Sequence, residues 1–186
     1  MKSVIINLDK DIERLKESLD NLNQFGIYPE RISGVVSNTS AEGFSMAMIN
    51  ALESIKDEEY AVIFEDDIEL ISWDLPELPD NFDMLYLGAN LTDETERIND
   101  DLVKVKGAWT THAIIYSKKG VSKILKQYDL GKGIYDEWLR TKFNNQNECY
   151  LITPMIAFQR NGYSNIQGVE VDYTDVMLEN YNKFVK

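Results

Sequence analysis

The stretch "AVIFEDDIEL", residues 61 to 70, runs four apolar residues straight into Glu65, Asp66 and Asp67. Carboxylates grouped at a strand end can hold a hard divalent cation through their oxygens, and Mg²⁺ typically uses one or two of them plus substrate phosphates. The same residues would serve equally as a solvated strand terminus. With 32 acidic residues among 186, a run of three arises about once by chance. The single histidine, His112, reads on its own as a hydrogen-bonded core or strand-edge imidazole. The single cysteine, Cys149, reads as a small buried hydrophobe; alone it forms no intrachain disulfide, which points to a reducing compartment.

Position gives the acidic block its interest, because open α/β sheets bind ligands at the carboxyl ends of their strands. "SVIINL" (3 to 8) is a continuous apolar run suited to a strand covered on both faces. Ile12, Leu15, Leu19, Leu22 and Phe25 then recur at helical spacing, with Asp9 or Asp11 as N-cap and Gly26 beyond the end. "RISGVV" (31 to 36) predicts a short strand, and Phe44, Met48, Ala51, Leu52 and Ile55 the face of a second helix. "YAVIF" (60 to 64) predicts a third strand, ending at the acidic block. After a proline-bearing loop (73 to 82) come a strand at 83 to 88 and a polar, acidic surface loop from 89 to 101. "THAIIYS" (111 to 117) predicts a strand whose Ser117 caps the helix "KKGVSKILKQY", and residues 134 to 143 another helix. A strand near "YLITP" and a helix from 174 to 184 complete the chain. Strands alternating with helices imply an α/β fold with a mainly parallel central sheet flanked by helices.

The length suits one domain, 1 to 186, and 44% hydrophobic residues suit a folded core. A net charge of −13 argues against general affinity for nucleic acid or anionic lipid, since neutralising phosphates takes clustered Lys and Arg. The opening "MKSVIINLDKD" is too short an apolar run for a signal peptide or integral membrane segment, and the expectation is a soluble, cytoplasmic protein.

Four blocks resemble glycosyltransferase family 25, the bacterial lipopolysaccharide-type and collagen-type galactosyltransferases. They are "VIINLDKDIERLKESLDNLNQFGIYPERISGV", "GFSMAMINALESIKDEEYAVIFEDDIEL", "TTHAIIYSKKGVSKIL" and "PMIAFQRNGYSNIQG". They occur in family order and span most of the chain. The resemblance implies a GT-A-like fold and transfer of a sugar from a nucleotide-diphosphate donor, UDP-hexose, to a glycan or glycolipid acceptor. It implies that Asp67, with Glu65 or Asp66 beside it, holds Mn²⁺ or Mg²⁺ on the donor's diphosphate, where a cation offsets the charge that builds on the leaving group.

In that context His112 becomes a candidate metal ligand or donor to the diphosphate. Asn7 and Arg14 follow the first strand, where a nucleotide would dock; Arg14 suits either a phosphate or a surface ion pair. An inverting transferase needs a general base, and the family pattern points to Asp136, with Glu137 in reserve. Acidic residues in a first helical turn also complement the dipole with no catalytic role. Trp109 and Trp138 would stack on a sugar or simply fill core.

Two positions depart from the family pattern. "GFSMAM" keeps Ser45 but lacks the histidine that usually follows, and Asn165 replaces the usual aspartate before Ile166. Alternative functions therefore stand beside the first: glycosylation of nucleic acid or protein, a non-catalytic nucleotide-sugar-binding member, or an unrelated α/β domain whose acidic triplet is surface.

Overall fold

The computed structural model describes residues 1–164 and 168–185, so the departure at Asn165 lies outside the described residues. The chain forms β1 (Lys2–Asn7), α1 (Ile12–Asn23), β2 (Glu30–Ser33), α2 (Ser40–Ile55), β3 (Tyr60–Glu65) and β4 (Ile68–Leu70). There follow β5 (Met84–Tyr86), β6 (Asn90–Leu91), β7 (Glu96–Arg97), β8 (Leu102–Lys104), β9 (Ala108–Trp109), β10 (Ala113–Ser117) and α3 (Lys118–Gln127). The last third holds α4 (Tyr135–Trp138), β11 (Cys149–Ile152), β12 (Ala157–Gln159), β13 (Gly162–Ser164), β14 (Val169–Val171) and α5 (Tyr173–Phe184).

The main sheet has eight strands in the order β2-β1-β3-β10-β5-β11-β8-β7. The pairings leave only β10 and β8 running against the other strands, so the sheet is mainly parallel in direction, as expected. Both faces are covered. Val4 and Ile6 point into a core shared with α2, α3 and α5, while Ile5 points into a second core beneath α1 and the 73–78 loop. The parallel strands carry unbroken apolar runs for this reason.

Asp11 takes the N-cap position of α1 without a side-chain capping bond, while the caps of α2 and α3 are made. The Thr39 side chain accepts the Glu42 N–H at 3.1 Å to cap α2, and Ser117 accepts the Gly120 N–H at 3.0 Å to cap α3. Gly26, at φ 73, ends the α1 segment in the left-handed conformation that glycine adopts freely. The 134–143 helix is α4 continued by a π turn over Leu139–Phe143. The expected 89–101 surface loop is partly built in: Ala89 and Leu91 are buried, and β6 and β7 lie within it. Two apolar residues inside the polar run are what anchor it. No described helix is long and apolar enough to cross a membrane.

Candidate functional site

A cleft of about 900 Å³ opens over the carboxyl ends of β1 and β3. β1 delivers Asn7, β3 delivers Glu65, and the turn into β4 delivers Asp66 and Asp67; α1 contributes Arg14, and α4 contributes Asp136 and Glu137. Every predicted site residue except His112 lines this one cleft.

The two aspartates are treated differently. Asp66 is fully engaged, its Oδ1 accepting from Arg14 Nε at 3.0 Å and Nη2 at 2.7 Å, and its Oδ2 from Asn7 Nδ2 at 2.7 Å. Burial pushes the Asp66 carboxyl above its ordinary range, opposed by Arg14 and Asn7. Asp67 Oδ2 accepts from Arg14 Nη2 at 3.0 Å and Gln159 Nε2 at 2.8 Å, but its Oδ1 is buried with no hydrogen-bond partner among the described residues. Burial works against the Arg14 charge, and the Asp66 and Asp67 carboxylates more than offset it, so the guanidinium stays charged. Glu65 accepts the Thr111 hydroxyl at 2.6 Å. Burial, then the charge of Asp67, pushes its carboxyl up to about 8.

The acidic turn is held from behind by Arg160, Ser18 and Arg31, none of them among the expected site residues. Arg160 donates its backbone N–H to the Asp67 carbonyl at 2.7 Å and its Nη2 to the Asp66 carbonyl at 2.8 Å. Ser18 Oγ donates to the same Asp66 carbonyl at 2.7 Å. Arg31 bonds Asn7 through Oδ1 at 3.1 Å and the carbonyl at 3.0 Å, and also pairs with Asp9. Ser18 is one helical turn beyond Arg14, a spacing that could have flagged it. Gln159 and Arg160 lie more than 90 residues from the block they support, with no periodic signal to link them.

At the other end of the cleft, Asp136 Oδ1 accepts the Glu137 N–H at 2.8 Å. Burial raises its carboxyl above the ordinary range, partly opposed by that N–H. Glu137 is occupied by Arg140 through two bonds of 3.0 and 2.9 Å, and the Arg140 guanidinium lies 4.5 Å over the Trp109 ring. Ser45 accepts the Tyr135 N–H at 3.0 Å and so ties α2 to the turn bearing Asp136. Trp138 is core, packed among Tyr128 and Phe143, and Cys149 is buried.

His112 corrects an expectation. It is fully buried outside the cleft, beside Gly88 and the Ala157 backbone, where a Cβ on Gly88 would stand 1.8 Å from the Ala157 oxygen and 3.1 Å from His112 Nε2. Burial pushes the imidazole down to about 4, against the Ala157 backbone, and keeps it neutral. The strand expected from Thr111 starts only at Ala113; in the segment leading into it Thr111 lines the cleft and His112 is buried outside it. Asp66 has both oxygens hydrogen-bonded, to Arg14 and to Asn7.

Among the described residues, no three Asp, Glu, His or Cys side chains are grouped to hold a metal ion by themselves. Asp67 and Glu65 nevertheless fit one that takes its other ligands from a diphosphate: both are hard oxygen donors, and Asp67 Oδ1 is buried and unclaimed. The lining carries five carboxylates (Glu65, Asp66, Asp67, Asp136 and Glu137) against Lys10, Arg14 and Arg140. An anionic ligand entering here gains from an added cation.

No protein-family model and no curated protein matches the sequence. Among solved structures, a Drosophila β-1,4-galactosyltransferase 7 mutant in complex with manganese, UDP-Gal and xylobiose aligns at TM-score 0.45 and 9% identity, over 66% of this chain and 51% of that one. A glycosyltransferase involved in glycosylation of the major capsid of PBCV-1 aligns at TM-score 0.42 and 8% identity, over 75% and 73%. The A197 protein from STIV aligns at TM-score 0.53 and 14% identity, over 92% of this chain and 93% of that one, and with it this chain shares its α/β fold.

Proposed function

We propose that the chain is a GT-A-type glycosyltransferase that moves a hexosyl group from UDP-hexose to a hydroxyl of a glycan or glycolipid acceptor, with inversion. The observation that carries this reading is the unclaimed, buried Asp67 Oδ1 beside Glu65, in the cleft that also holds Asp136. The ordered blocks resembling glycosyltransferase family 25 point the same way.

Asp67 and Glu65 would hold Mn²⁺ or Mg²⁺, and that ion supplies positive charge to the diphosphate as it leaves. Asn7 and Asp66 orient Arg14, whose guanidinium binds the donor's phosphates. The acceptor oxygen attacks the anomeric carbon while the bond from that carbon to the diphosphate breaks, the electron pair departing with the phosphate oxygen. The hydroxyl proton passes to the Asp136 carboxylate, a role its burial favours by raising its proton affinity. Glu137, bound to Arg140, instead keeps the guanidinium over Trp109 and shapes the acceptor side.

The test is thermal stability against a panel of nucleotide sugars with Mn²⁺, with Mg²⁺ and with a chelator, because a ligand of the native state raises the midpoint by mass action. A metal-dependent rise with a UDP-hexose is expected. No rise with any donor would contradict the reading.

A further inference from the structure

Trp109, Thr110 and Thr111 are consecutive, and all three line the cleft. Thr111 donates to Glu65 at 2.6 Å, at the acidic end. Trp109 lies under Arg140, 4.5 Å away, and Arg140 pairs with Glu137 beside Asp136. The three residues therefore form a wall running from the acidic block to the candidate base.

Thr110, in the middle, has φ 72. A β-branched residue in the left-handed region is a genuine outlier, where glycine or asparagine sits with far less strain. Such strain persists only where the surroundings enforce it, and it clusters at ligand-binding sites. Here the neighbours on both sides are fixed, Trp109 by its pairing with Asn90 in β6 and Thr111 by Glu65. Thr110 Oγ1 accepts the Asn90 N–H at 3.3 Å, and a hydroxyl used as an acceptor still has its own proton to donate. The hydroxyl meets the Asn90 N–H and leaves its own proton to donate into the cleft that Thr110 lines.

We propose that Thr110 is a specificity-determining residue of the donor-sugar subsite, its hydroxyl donating to a hydroxyl oxygen of the hexosyl group. This rests on the donor-site reading above, in which the transferred sugar lies between the diphosphate at Glu65 and Asp67 and the base at Asp136.

The experiment titrates UDP, UDP-galactose and UDP-glucose, with Mn²⁺, into the wild type, Thr110→Gly and Thr110→Ser, and records each protein's melting midpoint. Thr110→Gly should raise the midpoint by about 2 °C, because relief of the left-handed strain outweighs the long Asn90 bond. It should leave the UDP Kd unchanged and weaken the better-bound UDP-hexose about fivefold, the loss of one hydrogen bond. Thr110→Ser, which keeps the hydroxyl, should retain wild-type affinity for that UDP-hexose. Equal UDP-hexose affinity in wild type and Thr110→Gly, or parallel losses for UDP and UDP-hexose, would overturn the assignment. Wild type that binds UDP but gains nothing from either sugar would overturn the sugar contact and leave the nucleotide site standing. Wild type that binds neither UDP nor UDP-hexose would overturn the donor-site reading and the role of Thr110 with it.

Discussion

Asp83, just ahead of β5, is fully buried; its Oδ2 accepts from Lys123 Nζ at 2.6 Å and the Glu148 N–H at 3.0 Å, and its Oδ1, like that of Asp67 without a hydrogen bond among the described residues, faces the Lys119 ammonium at 3.4 Å. Asp67, 8% exposed, shares its one guanidinium with Asp66, leaves Oδ1 bare and stands beside Glu65. Burying a charge costs several kcal/mol unless partners repay it. Around Asp83 the fold supplies those partners from α3 and the chain entering β11. Around Asp67 it gathers two further carboxyl groups, Glu65 and Asp66, on the lining of the cleft, where a cation brought with a ligand would offset them. Stability accounts for the first arrangement; the second makes sense as a site built for something that binds.

The contrast can be broken in several ways. The largest effect expected is on chemistry: Asp136→Asn should lower turnover about 1000-fold while donor Kd, measured by calorimetry, stays within about twofold. Unchanged turnover would remove Asp136 as the base. Next, Asp83→Asn should cost about 3 kcal/mol in urea denaturation, because it strips Lys123 and Lys119 of their partner. Asp67→Asn should cost less, about 1 kcal/mol, since Arg14 keeps its pair with Asp66 and the amide oxygen can still accept from Gln159. Equal losses would erase the distinction between a structural and a functional carboxylate.

A pH series sharpens the point with a third buried group. His112 titrates near 4 in the fold, below its ordinary 6.5, so the unfolded chain binds the proton more readily. Its contribution is therefore complete above pH 6.5 and lost as pH falls towards 4, at about 1.4 kcal/mol per unit. A His112→Gln variant should lack that part of the slope, and identical slopes would show that burial does not govern this histidine. The smallest effect is local: Thr39→Ala should cost about 1 kcal/mol by removing the α2 cap, with donor affinity intact.

How much of this was legible in the sequence depended on the range of the interaction. Helical period exposed α1 and α2, apolar runs exposed β1, β3 and β10, and the Ser117 cap marked α3, because each signal is local in the chain. The acidic block was visible as a charge break after an apolar strand, whereas the lone histidine drew attention away from Thr111, whose hydroxyl bonds Glu65. The bonds that separate Asp66 from Asp67 were not visible. They come from Asn7 and Arg14, 59 and 52 residues from Asp66, and from Gln159, 92 residues beyond Asp67. Nor could the left-handed turn at Thr110 be read, since threonine gives no signal for a conformation it disfavours.

The most direct measurement is Mn²⁺ binding followed by electron paramagnetic resonance, with and without UDP, in the wild type and in Asp67→Ala. Wild type should sequester Mn²⁺ strongly only when UDP is present, because the protein offers two carboxylates and the diphosphate the remaining ligands. Asp67→Ala should not sequester it under either condition. Equal Mn²⁺ binding by the two proteins, or none by the wild type with UDP, would contradict a metal-assisted donor site at the end of β3.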